Sequence, residues 1–276
     1  IEEVANDEHS FSRIAQKTGM NTEEISELIR SVRPVIYGGC TISVEQMKYF
    51  ISEYKKLNTP LVWDALFVQY GYRNQILRRE VKPILRDMKL AGPAVTIKGT
   101  TNVTPFEEEF DHKGPGPLGG MWIRVGQALS EDCVVIIDPG YTEVAVLGDI
   151  FGQTWHHMGM QGLVCDGPIR DSFGFLEDDI PTFCTDTMCI CAEGHWRMTD
   201  SNVPLWLHGQ LGEVLVNPGD FIFADADGVL VIPNDMIEKV LINAKERAAN
   251  EIKTKADIKA GKTPEEMWYE DGHSGV

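Results

Sequence analysis

Two short apolar runs at the centre of the chain set the tightest limit on its fold. Cys133-Val134-Val135-Ile136-Ile137 stops at Asp138, Pro139 and Gly140, and Gly162-Leu163-Val164-Cys165 stops at Asp166 and Gly167. Neither alternates with polar residues, which is the pattern of a strand covered on both faces. Between them residues 148–158 read as a helix, with Asp149 in its first turn and Gly159 as a left-handed stop. Strand, helix and strand in this order make a βαβ unit with parallel strands and a right-handed crossover. The fold class expected is therefore α/β.

That topology brings particular side chains together. The helix begins at the carboxyl edge of the first strand, and the loop after the second strand leaves from the same edge, where open α/β sheets bind ligands. Asp149 and the pair Arg170-Asp171 should thus share one crevice. Asp149 and Asp171 offer hard oxygen ligands for Mg²⁺ or Mn²⁺, ions that commonly keep several waters and take one or two protein carboxylates. Arg170 carries a planar fork that can hold a carboxylate through two hydrogen bonds. The backbone N–H groups of Gly148, Asp149 and Ile150 form a helix N-terminus that favours an anion. Together these groups suit a 2-oxo acid. A structural reading stands beside this one: Asp149 complements the helix dipole, and Arg170–Asp171 is a surface ion pair of about 0–1 kcal/mol.

The remainder divides into a helical N-terminal extension, residues 1–57, and a domain over 58–276. In the extension Asn21 with Glu24, and Ser43 with Gln46, form capping-box patterns. The helices behind them would bury Ile25, Leu28, Ile29 and Val32, and then Met47, Phe50, Ile51 and Tyr54, with Pro34 and Gly38-Gly39 breaking the chain between. LAGPAVTIKG (90–99) contains a short strand. FIFADADGVLVIP (221–233) reads as two strands around an Asp-Gly turn shaped by Asp225 and Asp227. A last long helix follows Pro233 and ends near Ala260, at Gly261.

Composition narrows the function classes. A formal charge of −17 argues against nucleic acid, which needs clustered Lys and Arg. No apolar run approaches the ~18 residues of a membrane span. The acidic, polar start IEEVANDEHS is not a secretory leader, although Ile1 leaves room for one removed earlier. The six cysteines read as reduced thiols of a cytoplasmic protein. Cys189-Ile190-Cys191 lacks the second Cys/His pair of a zinc site. His156 and His157 lie away from the helix's first turn and read as surface or interface. Glu107, Glu108, Glu109, Asp111 and His112 read as a solvated loop, with extra metal ligands as the alternative. Trp196 and Trp206 read as core or interface. There is neither a G-x-S-x-G elbow nor a P-loop.

Several segments, in order, resemble the RraA-like family: TPLVWDAL (59–66) its opening strand-to-helix segment, LAGPAVTIKG its first core strand, CVVIIDPG and AVLGD (145–149) the approach to its site, GLVCDGPIRD (162–171) its signature, and PGDFIFADADGVLVIP (218–233) its closing hairpin. The resemblance covers roughly residues 58–270. Its aldolases, which include 4-hydroxy-4-methyl-2-oxoglutarate aldolase and oxaloacetate decarboxylase activities, carry Asp, twenty intervening residues, then Arg-Asp; here these are Asp149, Arg170 and Asp171. The resemblance implies a β/β/α sandwich with parallel core strands, assembled as a homotrimer or homohexamer with sites at subunit interfaces. It implies that Asp171 contacts the metal, that Asp149 acts through metal-bound water, and that Arg170 binds a pyruvyl carboxylate. The activity implied is a divalent-metal-dependent retro-aldol cleavage or β-decarboxylation of a 2-oxo acid through a pyruvate enolate.

Relatives without the acid after the Arg include a protein regulator of an RNA-degrading enzyme. The alternative function is therefore regulation by protein–protein contact, and Asp171 favours the enzyme. A Schiff-base aldolase is disfavoured because no Lys falls in the βαβ crevice segment, leaving Lys98 as the remaining amine. Three features depart from the family pattern. Gly174 stands where an acid is expected three residues beyond Asp171, with Glu177 the nearest acid downstream; residues 105–119 resemble an insertion near the substrate edge; and the N-terminal extension is atypical.

Overall fold

The computed structural model describes residue 19, residues 42–102 and residues 116–269. The first expected helix, Cys40 and the acidic run from Glu107 to His112 lie outside the described residues.

Helix α1 (Val44–Tyr54) starts as its capping pattern requires: the Ser43 side chain accepts from the Gln46 N–H, and Phe50, Ile51 and Tyr54 are buried. TPLVWDAL is helical throughout, without the strand expected there. Asn58 caps α2 (Thr59–Asp64), Pro60 sits in its first turn where no N–H is needed, and the chain runs on into a π-helical turn over Ala65–Gln69.

Among the described residues the main sheet has eight strands. Its spine is β1 (Leu90–Thr101), twelve residues long where the sequence suggested a short strand. Next come helix α3 (Gly116–Ala128), β2 (Cys133–Asp138), helix α4 (Asp149–His157) and β3 (Met160–Cys165). The end of the supposed insertion, residues 116–119, is thus the first turn of α3. Helix α5 (Ser172–Glu177) leads to β4 (Thr182–Cys184) and β5 (Trp196–Ser201). A separate hairpin, β6 (Leu205–Gly209) and β7 (Gly212–Val216), precedes β8 (Phe221–Ala224) and β9 (Val229–Ile232). Helix α6 (Ile237–Lys259) and the short α7 (Pro264–Tyr269) complete the described chain.

From one edge the sheet runs Lys82–Pro83, β4, β3, β2, β1, β8, β9, with β5 also paired to β1. The pairs β1–β2, β2–β3 and β3–β4 are parallel, whereas β8 and β5 join β1 antiparallel. The fold is accordingly mixed α/β with a parallel centre. Along β2 alternate residues face opposite ways, as a strand demands. Val135 and Ile137 pack with Trp155 and Phe175 from the helical layer. Val134 and Ile136 pack with Leu205, Leu207, Val214 and Val216 of the hairpin. That double covering explains the unbroken apolar run. A third cluster joins Phe221, Phe223, Leu230 and Ile232 to α1, α2 and α6, with Tyr54 Oη donating to the Ile237 carbonyl at 2.8 Å.

The Asp-Gly turn lies where expected. Asp225 accepts from the Asp227 N–H at 2.9 Å, and it also accepts from the N–H and hydroxyl of Thr59 at the start of α2. Gly159 has φ +110° at the end of α4, and Gly261 φ +90° at the end of α6, the left-handed stops that glycine makes without steric cost. The five described cysteines are free thiols. Among the described residues no helix is long and apolar enough to cross a membrane.

Candidate active site

Three stretches of backbone converge on the carboxyl edge of β2 and β3. The Val146 N–H donates to the Pro168 carbonyl at 3.1 Å, the Arg170 N–H to Leu147 at 3.0 Å, and the Ala145 N–H to Ile190 at 3.0 Å. Ala145, Val146, Leu147 and Ile169 are buried, so apolar contacts reinforce this ladder. Gly148 and Arg170 therefore leave adjacent strand-like segments side by side. The twenty residues between Asp149 and Arg170 form the α4–β3 unit that returns the chain to its starting edge.

Gly148 is the N-cap of α4 and has no side chain to occupy the first-turn amides. Asp149 follows in that first turn, and its carboxylate lies against Gly174 of α5. A Cβ built on Gly174 would fall 2.6 Å from Asp149 Cβ and 2.7 Å from its Cγ. Asp171 mirrors this arrangement, because its Oδ2 fills the space that a Cβ on Gly148 would need, with Arg170 Nε 3.2 Å from the same point. Farther along, the Phe175 ring sits on Gly152, where a Cβ would come within 2.8 Å of its Cζ. The two helices thus meet through three glycine notches. Asp149, Arg170, Asp171 and Gly148 are brought together, while Ile150, on the outer side of α4, is 64% exposed.

Asp171 is the N-cap of α5 but makes no side-chain cap hydrogen bond, and its backbone is left-handed, φ 56° and ψ 41°. Asp132, Asp179 and Asn202 share that region, so conformation alone does not mark residue 171 as functional. Its contact is more informative. Arg170 Nε stands 3.1 Å from Asp171 Oδ2, with the side chains 40% and 45% exposed. An ion pair that open to water adds little stability.

The donor set can be tested against a divalent cation. The Asp171 carboxylate is not spent on capping, and Asp149 has no hydrogen-bond or ion-pair partner among the described residues. Both are oxygen donors of the hard kind that Mg²⁺ and Mn²⁺ prefer. No group of three His, Cys, Asp or Glu able to hold a metal occurs among the described residues. The residues fit an exchangeable, largely hydrated ion rather than a closed structural site.

Other candidates fall elsewhere. Thr96 and Lys98 share a face of β1, and Thr96 Oγ1 donates to the Val203 carbonyl at 2.7 Å, just before the hairpin. Strand alternation therefore turns Lys98 away from the helical layer that carries the aspartates. His156 and His157 are exposed at the far end of α4. Trp196 is fully buried, its indole donating to the Pro139 carbonyl at 2.9 Å, whereas Trp206 is exposed. Sequence reasoning overlooked Phe173, between the Asp171 pair and Gly174, which is 81% exposed. An aromatic residue beside a charged loop pair was the available signal.

The family profile described as RraA-like (Aldolase/RraA) matches residues 59–231. A curated relative from Halalkalibacterium halodurans, named a putative 4-hydroxy-4-methyl-2-oxoglutarate aldolase, is 30% identical over 73% of this chain and 85% of its own length. Protein DlpA of Legionella pneumophila is 29% identical over 82% of this chain but only 34% of its own length, so the chain spans about a third of that relative. The crystal structure of Streptomyces coelicolor RraAS2, titled an unusual member of the RNase ES inhibitor RraA protein family, superposes with a TM-score of 0.61. It is 22% identical over 75% of this chain and 96% of that one, a likeness of fold.

Proposed function

Because the chain belongs to the RraA-like family, we propose that it is a divalent-metal-dependent lyase that cleaves a C–C bond in a 2-oxo acid and releases pyruvate. The observation that carries this reading is the pair of carboxylates, Asp149 and Asp171, seated on adjoining helix starts with a guanidinium beside them. The name of the Halalkalibacterium relative supports the substrate class.

In this reading Asp171 and Asp149 are the residues that would hold Mg²⁺ or Mn²⁺. When bound, the ion supplies Lewis acidity toward the negative charge that develops on the 2-keto oxygen as the C–C bond breaks. Arg170 does the positioning. Its Nε faces Asp171, which leaves the two terminal nitrogens to grip the substrate carboxylate in parallel. The uncapped first-turn amides of α4 add a fixed positive field at the same place. Asp149 holds a water that takes the proton from the C4 hydroxyl in a retro-aldol cleavage and returns one to C3 of the pyruvate fragment. A β-decarboxylation needs only the second transfer.

The exposed side chains of Ile150 and Phe173 flank the carboxylates. We take this face to be covered by a second copy in a homotrimer or homohexamer, which light scattering would measure. The deciding experiment couples pyruvate release to lactate dehydrogenase, using oxaloacetate and 4-hydroxy-4-methyl-2-oxoglutarate with and without Mg²⁺. Metal-dependent turnover of either substrate is expected. A regulator acting by surface contact would release no pyruvate from either.

A further inference from the structure

Asp149 rests on Gly174 and Asp171 rests on Gly148, so each acid is seated on a glycine close to the other acid in sequence: Gly148 precedes Asp149, and Gly174 lies in the first turn of α5, three residues after Asp171. We propose that Gly148 and Gly174 are positioning residues, two seats without side chains that fix where the paired carboxylates stand. This rests on the lyase reading above and extends it to residues that carry no chemistry of their own.

The geometry separates these seats from ordinary close packing. At Gly152 the intruding group is an apolar ring, Phe175, and that contact serves the core. At Gly174 the groups in the way are the Cβ, Cγ and Oδ2 of Asp149, and at Gly148 they are Asp171 Oδ2 and then Arg170 Nε and Cγ. The Asp171 carboxylate is not tethered by a capping hydrogen bond, and Asp149 stands one residue inside the cap of α4, which is Gly148. The direction of each is therefore set by its seat and, for Asp171, by the Arg170 contact at 3.1 Å. A methyl group at 148 presses on both members of that ion pair. A methyl group at 174 overlaps Asp149 as far back as its Cβ, which no rotamer change moves, so the start of α4 and with it the carboxylate must shift away from α5. Carboxylates that share one ion must be placed to within a fraction of an ångström, because Mg²⁺ tolerates little departure from its preferred distances.

The test uses the full chain with Gly174→Ala and Gly148→Ala. Mn²⁺ affinity is measured by electron paramagnetic resonance, and a crystal structure of each variant locates the carboxylates. We expect Mn²⁺ to bind at least tenfold more weakly, with Asp149 displaced in the first variant and Asp171 in the second. Wild-type affinity in either variant, or a carboxylate left unmoved, overturns the proposal. Should Gly174→Ala fail to fold, Gly148→Ala decides, since its overlap falls first on the tip of a movable side chain. Absence of Mn²⁺ binding by the wild-type protein would instead sink the lyase reading, and the variant crystal structures alone would then decide the seats.

Discussion

Arg170 meets Asp171 through Nε, 3.1 Å from Oδ2, with its side chain 40% exposed, so this contact does not use the two terminal nitrogens of its guanidinium. A lysine at this position could retain the charge contact but not the fork. A charge-assisted hydrogen bond contributes about 1.5–3 kcal/mol, so Arg170→Lys is expected to lower kcat/KM by roughly ten- to a hundredfold. Oxalate inhibition should weaken by a similar factor. Wild-type kinetics in a folded Arg170→Lys protein would leave the pair as surface decoration.

Removing metal should stop turnover without unfolding the protein. Asp149 and Asp171 lie outside the three apolar clusters, at the rim of the sheet, so the core does not depend on an ion between them. EDTA is expected to abolish pyruvate release, Mn²⁺ to restore it, and the far-ultraviolet circular dichroism spectrum to stay unchanged throughout. Full activity in a chelated, metal-free sample would exclude the mechanism.

Asp166 predicts a stability effect. Its side chain is 2% exposed and bound on both oxygens: Arg78 Nε donates to Oδ1 at 2.5 Å, while the His208 N–H and imidazole Nδ1 stand 3.2 and 2.8 Å from Oδ2. This bracket fastens the β6–β7 hairpin to the end of β3. Asp166→Ala leaves those donors unmatched and is expected to cost about 2–3 kcal/mol, in the range for hydrogen bonds to a charged group. Arg78 is 32% exposed and recovers part of its solvation. Urea unfolding should show a lower midpoint with an unchanged slope, and an unchanged midpoint would mean that the hairpin is held by its apolar face alone.

Cysteine reactivity should divide sharply. Burial pushes the Cys133 and Cys184 thiols up to about 12 and raises Cys165 well above its ordinary value. Only about one in 10⁴ of a thiol with such a pKa is ionised at pH 8. N-ethylmaleimide at that pH is expected to label exposed Cys189 and to spare these three until denaturant is added, as peptide mass mapping would report. The sign for stability follows. The unfolded thiols ionise first, from pH of about 8.5 upward, so each buried thiol makes the fold less stable as pH rises through that value. Native labelling of Cys133 at pH 8 would contradict its burial.

What the sequence made legible was local. The unbroken apolar run of β2, the glycine stop of α4 and the Asp225–Asp227 turn each announce themselves within about a dozen residues, because covering on both faces, chain reversal and turn geometry act over that range. Distant partners left no such mark. Asp166 reads as part of a turn until Arg78 and His208, 88 and 42 residues away, are seen to hold it. TPLVWDAL resembled a strand-to-helix segment of the family, and nothing within it reveals that Asp225, 166 residues on, receives the N–H and hydroxyl of Thr59 and anchors a helix start. Gly174 registered as a missing acid; only the fold shows what occupies the space above it.

The twelve-residue strand β1 also governs the order in which the chain can be built. Its first half pairs with Phe221–Ala224, its middle with Val134–Asp138 and its far end with Trp196–Ser201. Val134–Asp138 follows β1 by about thirty residues and can cover one edge early, but Trp196–Ser201 and Phe221–Ala224 are made much later. The other edge of the spine must wait unpaired until those segments are synthesised. Pairing over such sequence separations closes slowly, and an unpaired apolar strand is a template for association with other chains. Growth temperature and chaperone supply during synthesis should therefore govern the yield of this protein more strongly than its final stability does.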